Sequence, residues 1–237
     1  MTAAAHRYGL DMLIFAAHPD DAEIGMGGTI AKHTAAGNRV GLIDLTYAEM
    51  SSNGNVETRQ KEAAEASKIL GLAVRENLGL PDRRLAAVPE QIDLMVSAIR
   101  RHRPRIVFTP YFIDRHPDHV MCSRMTEEAV FNAKLRRYIP EEPAWTVDML
   151  YFYFINEVHT SQVLVDISDV QERKMASVRA YRSQFMPAGS EQDWVETPLT
   201  GSYVEMVVAR DRLLGQQRKL AFAEGFVPRG PVTLDRL

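Results

Sequence analysis

The chain has 237 residues, 46% of them hydrophobic and 25% charged, with 14 glycines and 12 prolines. That balance excludes a disordered chain, a collagen-like repeat and a disulfide-built miniprotein, and the length suits one domain around one core. Lys+Arg of 28 against Asp+Glu of 31 gives a net charge of −3, so no overall cationic field exists for gripping nucleic acid or an anionic membrane.

In chain order, Asp11–Ala17 is a short continuous apolar run and Arg39–Thr46 is another. Between them Met26–Ala36 reads as a helix ending at Gly37, so the chain opens β-α-β. A second helix fits Val56–Leu70, with Ala63, Ala66 and Leu70 on one face, Asn53-Gly54 turning into it and Gly71 closing it. Pro89 opens a third, in which Ile92, Met95, Val96 and Ile99 share a face and Arg100, Arg101 and Arg103 suit the carboxyl end. The strand Ile106–Phe108 follows, then a helix beginning near His119 whose inward stripe is Cys122, Met125 and Ala129. Met149–Ile155 and Gln162–Ile167 read as strands, and Val170, Val178, Tyr181 and Phe185 mark one further helix.

This alternation predicts a three-layer α/β/α, Rossmann-like, mostly parallel sheet with a mixed C-terminal portion, in one domain spanning residues 1–237. Ligands of such sheets bind beyond the carboxyl ends of the strands, so the loops after strands are the ones to inspect. The lone Cys122 cannot close an intrachain disulfide, which fits a reducing, cytoplasmic compartment. The longest apolar runs fall far below the roughly 20 residues of a membrane helix, and no signal-peptide pattern is expected.

After the first strand comes Ala17-His18-Pro19-Asp20-Asp21-Ala22-Glu23, and after a later one Asp114-Arg115-His116-Pro117-Asp118-His119. Two clusters of imidazole and carboxylate at strand ends are hard to explain as helix caps. Imidazole and carboxylate suit zinc, and three protein ligands leave a position open for water. His18, Asp21 and His119 supply that set, while Asp20, adjacent to a ligand, points elsewhere and stays free to act as a base. Cys122, one helical turn past His119, reads as a small buried hydrophobe. Arg59 lies on the inward face of its helix next to the positive end, a place that attracts a carboxylate.

AHPDDAEIGMGGT and RHPDH resemble the LmbE/PIG-L family of zinc-dependent N-acetylglucosamine deacetylases. The resemblance runs on through DLTYAEMSSNGNVETRQKEAA, NLGLPDRRL, FTPYFIDRHPDH, AYRSQF, TPLTGSYVE and AEGF. It looks most like the bacillithiol-pathway branch, whose members deacetylate N-acetylglucosaminyl-malate. The resemblance implies that His18, Asp21 and His119 bind zinc, with iron(II) an alternative in cells, and that Asp20 is the general base. It further implies that His116 stabilises the oxyanion or protonates the departing amine, that Asp118 orients His116, and that Tyr203 is an active-site tyrosine. Tyr203 also shares a helical stripe with Met206, Val207 and Leu214. Arg59 and Arg115 would bind a small anionic glycoside, and relatives imply a homo-oligomer; nucleic acid and membrane are not expected partners. A chitooligosaccharide or another N-acetylglucosamine conjugate is the alternative substrate.

Two rivals come from other chemistry. Gly25-Met26-Gly27-Gly28 follows a strand and Asp44 ends the next, a dinucleotide-binding look-alike, but the third fingerprint glycine falls at Ile30 and three carboxylates would face a pyrophosphate. Two histidines and one carboxylate also suit a non-haem iron oxygenase.

Overall fold

The computed structural model describes residues 8–186 and 194–233. The elements are β1 (Leu10–Ala16), α1 (Asp21–Ala35), β2 (Val40–Thr46), α2 (Val56–Leu70), β3 (Val74–Leu80), α3 (Pro89–His102), β4 (Pro104–Pro110), α4 (Pro117–Ala133), β5 (Met149–Tyr153), β6 (Val163–Asp166), α5 (Gln171–Arg179), α6 (Arg182–Phe185), α7 (Tyr203–Gln216) and β7 (Ala223–Pro228). They form a seven-stranded sheet of order β3-β2-β1-β4-β5-β7-β6. The first five positions pair in parallel, and β7 runs antiparallel to both its neighbours. This is the three-layer, mostly parallel architecture with a mixed end that the alternation predicts.

Successive residues of β1 point to opposite faces. Met12, Ile14 and Ala16 join the core with residues of α1, α2, α5 and α7, whereas Leu13, Phe15 and Ala17 join the core with residues of α3 and α4. β1 and β2 are buried almost throughout, as parallel strands covered on both sides must be.

Several boundaries differ from the sequence reading. α1 begins at Asp21, five residues before the expected Met26, and Met26 is where it kinks, at φ −149° and ψ 21°. Its glycines serve packing: a Cβ on Gly25 would lie 2.3 Å from the Tyr153 ring, and one on Gly28 would lie 2.8 Å from Ile167. The dinucleotide look-alike is therefore a close helix contact. The expected single helix through Val170 and Phe185 breaks at Ala180-Tyr181 into α5 and α6, and the break turns the Tyr181 ring into the core. Met206 is 59% exposed, so it leaves the inward stripe that Tyr203, Val207 and Leu214 keep. β3 escapes the apolar-run criterion because it is a half-exposed edge strand carrying Arg75 and Glu76. No helix among the described residues is long and apolar enough to cross a membrane.

Candidate functional site

β1 and β4 are neighbours, yet the chain leaves β1 for β2 on one side and β4 for β5 on the other. The crevice beyond their carboxyl ends is the sheet's topological switch point. The loop holding His18 and Asp20 leaves β1 there, and the loop holding Asp114 and His116 leaves β4.

The two loops meet. The Asp21 carboxylate lies between two imidazoles, one oxygen 3.0 Å from His119 Nε2 and the other 3.5 Å from His18 Nδ1. One ring nitrogen from each of His18, His116 and His119 falls within 4.8 Å of the others. Each histidine beside Asp21 is held from its far side: His119 Nδ1 is 2.9 Å from Asp114 Oδ1, and His18 Nε2 is 3.2 Å from Asp82 Oδ1 and 3.5 Å from Asp118 Oδ2. A carboxylate behind an imidazole fixes the ring and makes its other nitrogen more basic. His18, Asp82 and Asp118 also bring three donor atoms within 4.8 Å of one another.

Charge arithmetic tests whether this pocket suits a cation. Asp20, Asp21, Asp82, Asp114 and Asp118 bring five nearly buried carboxylates, against the two guanidiniums of Arg59 and Arg83. An excess of three negative charges cannot stay buried uncompensated. In the chain alone protons supply the balance. Burial by itself would lower His119, but Asp21 and Asp114 outweigh it and raise it to about 9. His18 likewise lies well above its ordinary value, because Asp118, Asp21 and Asp82 overcome its burial. Burial works against an ionised Asp21, yet His119 and His18 hold it well below the usual carboxylate range. A divalent cation replaces two such protons, so the donor set and its charge fit one.

Asp20 is set apart. It precedes α1 at φ 121°, a conformation that strains a residue other than glycine. Its Oδ2 accepts from Arg59 Nη2 at 2.8 Å, while Arg59 Nε donates to the Pro19 carbonyl at 2.9 Å. Burial pushes Asp20 up to about 7 against the opposing pull of Arg59. Arg59 reaches it because Asn55 caps α2, accepting from Thr58 N at 2.8 Å, and sets the helix end beside the crevice. The Arg59 guanidinium lies 5.4 Å over the Tyr181 ring, and its Nη1 is buried with no hydrogen-bond partner among the described residues. The arginine read as a substrate anchor thus binds the protein through two of its nitrogens and leaves the third, Nη1, without a partner among the described residues.

His116 caps α4, its Nδ1 accepting from Asp118 N at 3.2 Å, which leaves the ring proton on Nε2. Burial, then His119 and His18, push it down to about 4, so the ring is a neutral donor at neutral pH. The family resemblance implies that Asp118 orients His116, without saying through which atom. The backbone N–H of Asp118 does so, because its carboxylate is taken by Arg83, with Oδ1 2.8 Å from Nη1 and Oδ2 3.0 Å from the backbone nitrogen.

Tyr203 is buried, and its hydroxyl donates to Asn156 Oδ1 at 3.0 Å. Asn156 in turn donates to Asp114 through its side chain, at 2.9 Å, and through its backbone, at 3.1 Å. The tyrosine is therefore linked to His119 through Asn156, whose Nδ2 lies 3.5 Å from His119 Nδ1 and also donates to Asp114. Arg115 is exposed and makes no hydrogen bond or ion pair among the described residues. Cys122 is buried against Thr109 and Thr126, and burial raises its thiol far above the ordinary range. Asp82, Asp114, Asn156 and Arg83 carry parts of the site that residue spacing did not single out.

The profile of the GlcNAc-PI de-N-acetylase (PIG-L) family matches residues 13–130. A diacetylchitobiose deacetylase of Thermococcus kodakarensis is 33% identical over 183 residues, covering 71% of this chain and 67% of that protein. A probable N-acetyl-alpha-D-glucosaminyl L-malate deacetylase of Bacillus subtilis is 32% identical over 192 residues, covering 73% and 82%. The crystal structure of a conserved protein of Thermus thermophilus superposes with a TM-score of 0.87 at 44% identity, over 95% of this chain and 97% of that one. The chain belongs to the PIG-L/LmbE family.

Proposed function

We propose that this chain is a divalent-cation-dependent hydrolase that removes the N-acetyl group from an N-acetylglucosamine derivative, releasing acetate and a free amine. Among such substrates N-acetylglucosaminyl-malate, the bacillithiol-pathway glycoside, is our first choice. The observation that carries the reading is Asp20: a buried carboxylate raised to about 7, next to the Asp21–histidine cluster but hydrogen-bonded, among the described residues, by Arg59 and not by an imidazole.

His18, Asp21 and His119 would hold the cation, zinc or iron(II), which when bound polarises the amide carbonyl and makes water a better nucleophile at neutral pH. Asp20 takes the proton from the attacking water, and its raised pKa matches that task at pH 7. The new C–O bond leaves negative charge on the former carbonyl oxygen. His116, with its proton fixed on Nε2, donates a hydrogen bond to that charge as it develops. Collapse breaks the C–N bond, and the proton held by Asp20 passes to the departing amine.

The 33%-identical diacetylchitobiose deacetylase favours a second substrate, the N-acetylated disaccharide. Exposed Phe112, Ile113 and Phe131 support self-association, as expected for a single-domain homo-oligomer working in the cytoplasm. The deciding assay measures acetate released from the malate glycoside, diacetylchitobiose and N-acetylglucosamine, before and after chelation and metal readdition. We expect release to require the cation and to be fastest with the malate glycoside. Equal rates on all three would reject the malate assignment, and chelator-insensitive release would reject the cation.

A further inference from the structure

One side chain at the mouth of this crevice has no part in the chemistry above. Arg83 follows β3 in the left-handed region, at φ 60°, where a side chain is strained relative to glycine. Its guanidinium is held in place by Asp118 and its side chain is 45% exposed. Asp118 is its sole hydrogen-bond partner among the described residues, so most of its five N–H donors are unused. It lines a cavity of about 140 Å³ together with His18, Asp20, Arg59 and His116. A second observation points to a ligand there: Arg59 is 4% exposed, lines the same cavity, and its Nη1 is buried without a partner among the described residues. The other lining carboxylates are already compensated, Asp20 by Arg59 and Asp82 by His18 and the Met50 N–H.

We infer that Arg83 is a specificity-determining residue that pairs with a carboxylate on the aglycone of an N-acetylglucosaminide, while Arg59 Nη1 donates to an acceptor on the sugar. The inference rests on the deacetylase reading. In such a glycoside the aglycone on C1 is vicinal to the acetamide on C2, so an amide seated against Asp20 brings the aglycone to the wall of the same small cavity. A planar fork anchored at one corner and open at the others suits a carboxylate better than a sugar hydroxyl.

The test compares two glycosides of one sugar, N-acetylglucosaminyl-malate and methyl N-acetylglucosaminide, on the metal-loaded wild type, Arg83→Gly and Arg83→Lys. Glycine suits φ 60°, so the first variant removes the fork and relieves the backbone together. We expect the ratio of kcat/KM, malate over methyl, to fall at least tenfold in Arg83→Gly, chiefly through KM, with partial recovery in Arg83→Lys. A disturbance passed through Asp118 to the site would slow both glycosides alike and cancel in that ratio. An unchanged ratio overturns the assignment. Binding of the malate glycoside, titrated calorimetrically into Asp20→Asn with and without Arg83→Gly, separates the two readings. If neither glycoside yields acetate the deacetylase reading fails, and if binding is no weaker without Arg83 its role fails as well.

Discussion

Two clusters of buried charge meet helix α1, one at its amino end and one at its kink. At the kink, Lys174 Nζ lies 2.6 Å from Asp211 and 2.7 Å from Glu224, all three fully buried. Glu224 also accepts from the N–H groups of Gly28 and Thr29, and Arg210 pairs with Asp211. Two cations there balance two carboxylates. At the amino end, among the described residues, the carboxylates outnumber the guanidiniums by three, an arginine nitrogen is unpaired, and ordinary pKa values are displaced in both directions. The carboxylates of both places are nearly buried; compensation differs. Balanced buried charge pins helices together, and unbalanced buried charge waits for a ligand.

The largest effects should fall on opposite readouts. Asp20→Asn should lower acetate release by about 10²- to 10⁴-fold, the range of a lost general base, with metal content retained. Lys174→Met leaves Asp211 and Glu224 with no lysine between them, and removing one partner of a buried pair costs about 3–5 kcal/mol. Urea unfolding should show that loss, while KM stays near wild type. A Lys174 variant that lost turnover without losing stability would break the comparison.

Acidity offers the next contrast. In the metal-free chain the folded state raises His119 from an ordinary value near 6.5 to about 9. A group raised on folding adds stability that is complete below its unfolded pKa and lost as the pH climbs through the folded one. Chelated protein should therefore lose stability between about pH 6.5 and 9, whereas the metal-loaded protein, whose ligands are deprotonated already, should lose less. Urea midpoints of both forms across that range would test this, and parallel curves would mean that protons and cation do not compete for the site.

How much of this was legible in the chain differs between the same two regions. The motif around His18 and Asp21 and that around His119 stand directly after strands that read as apolar runs, so their convergence follows from topology. Asp82 and Arg83 were hidden because β3, the strand that delivers them, is an edge strand whose Arg75 and Glu76 blur its pattern. The kink cluster was invisible for another reason. Lys174, Asp211 and Glu224 come from α5, α7 and β7, and no local spacing joins them. Spacing also does not reveal which atom of Asp118 meets His116: the backbone N–H does, while Arg83 from another loop takes the carboxylate.

A smaller effect separates the support of the site from its reacting centre. Asp114 holds His119 Nδ1 at 2.9 Å, and loss of such a partner typically weakens metal binding by about 10- to 100-fold. Asp114→Asn should move metal affinity into that range, read by competition with a chelating dye, and saturating metal should restore most of the turnover. Failure of excess metal to restore it would give Asp114 a part in the chemistry itself.

The smallest predicted effect concerns Tyr203, which the family resemblance places among the active-site groups. Were its hydroxyl a donor to the oxyanion, Tyr203→Phe would cost about 10²- to 10³-fold in kcat. The geometry argues for less. The hydroxyl is spent on Asn156, the Asn156 amide is spent on Asp114, and the ring is stacked on Phe185. Removing the hydroxyl deletes one neutral hydrogen bond, about 0.5–1.5 kcal/mol of stability, and reaches His119 only by way of Asn156. Turnover should therefore fall a few-fold, and Asn156→Ala should do at least as much damage, because it cuts the chain one link nearer the histidine. If Tyr203→Phe instead proves far worse than Asn156→Ala, the tyrosine must leave Asn156 and turn toward the substrate during the reaction.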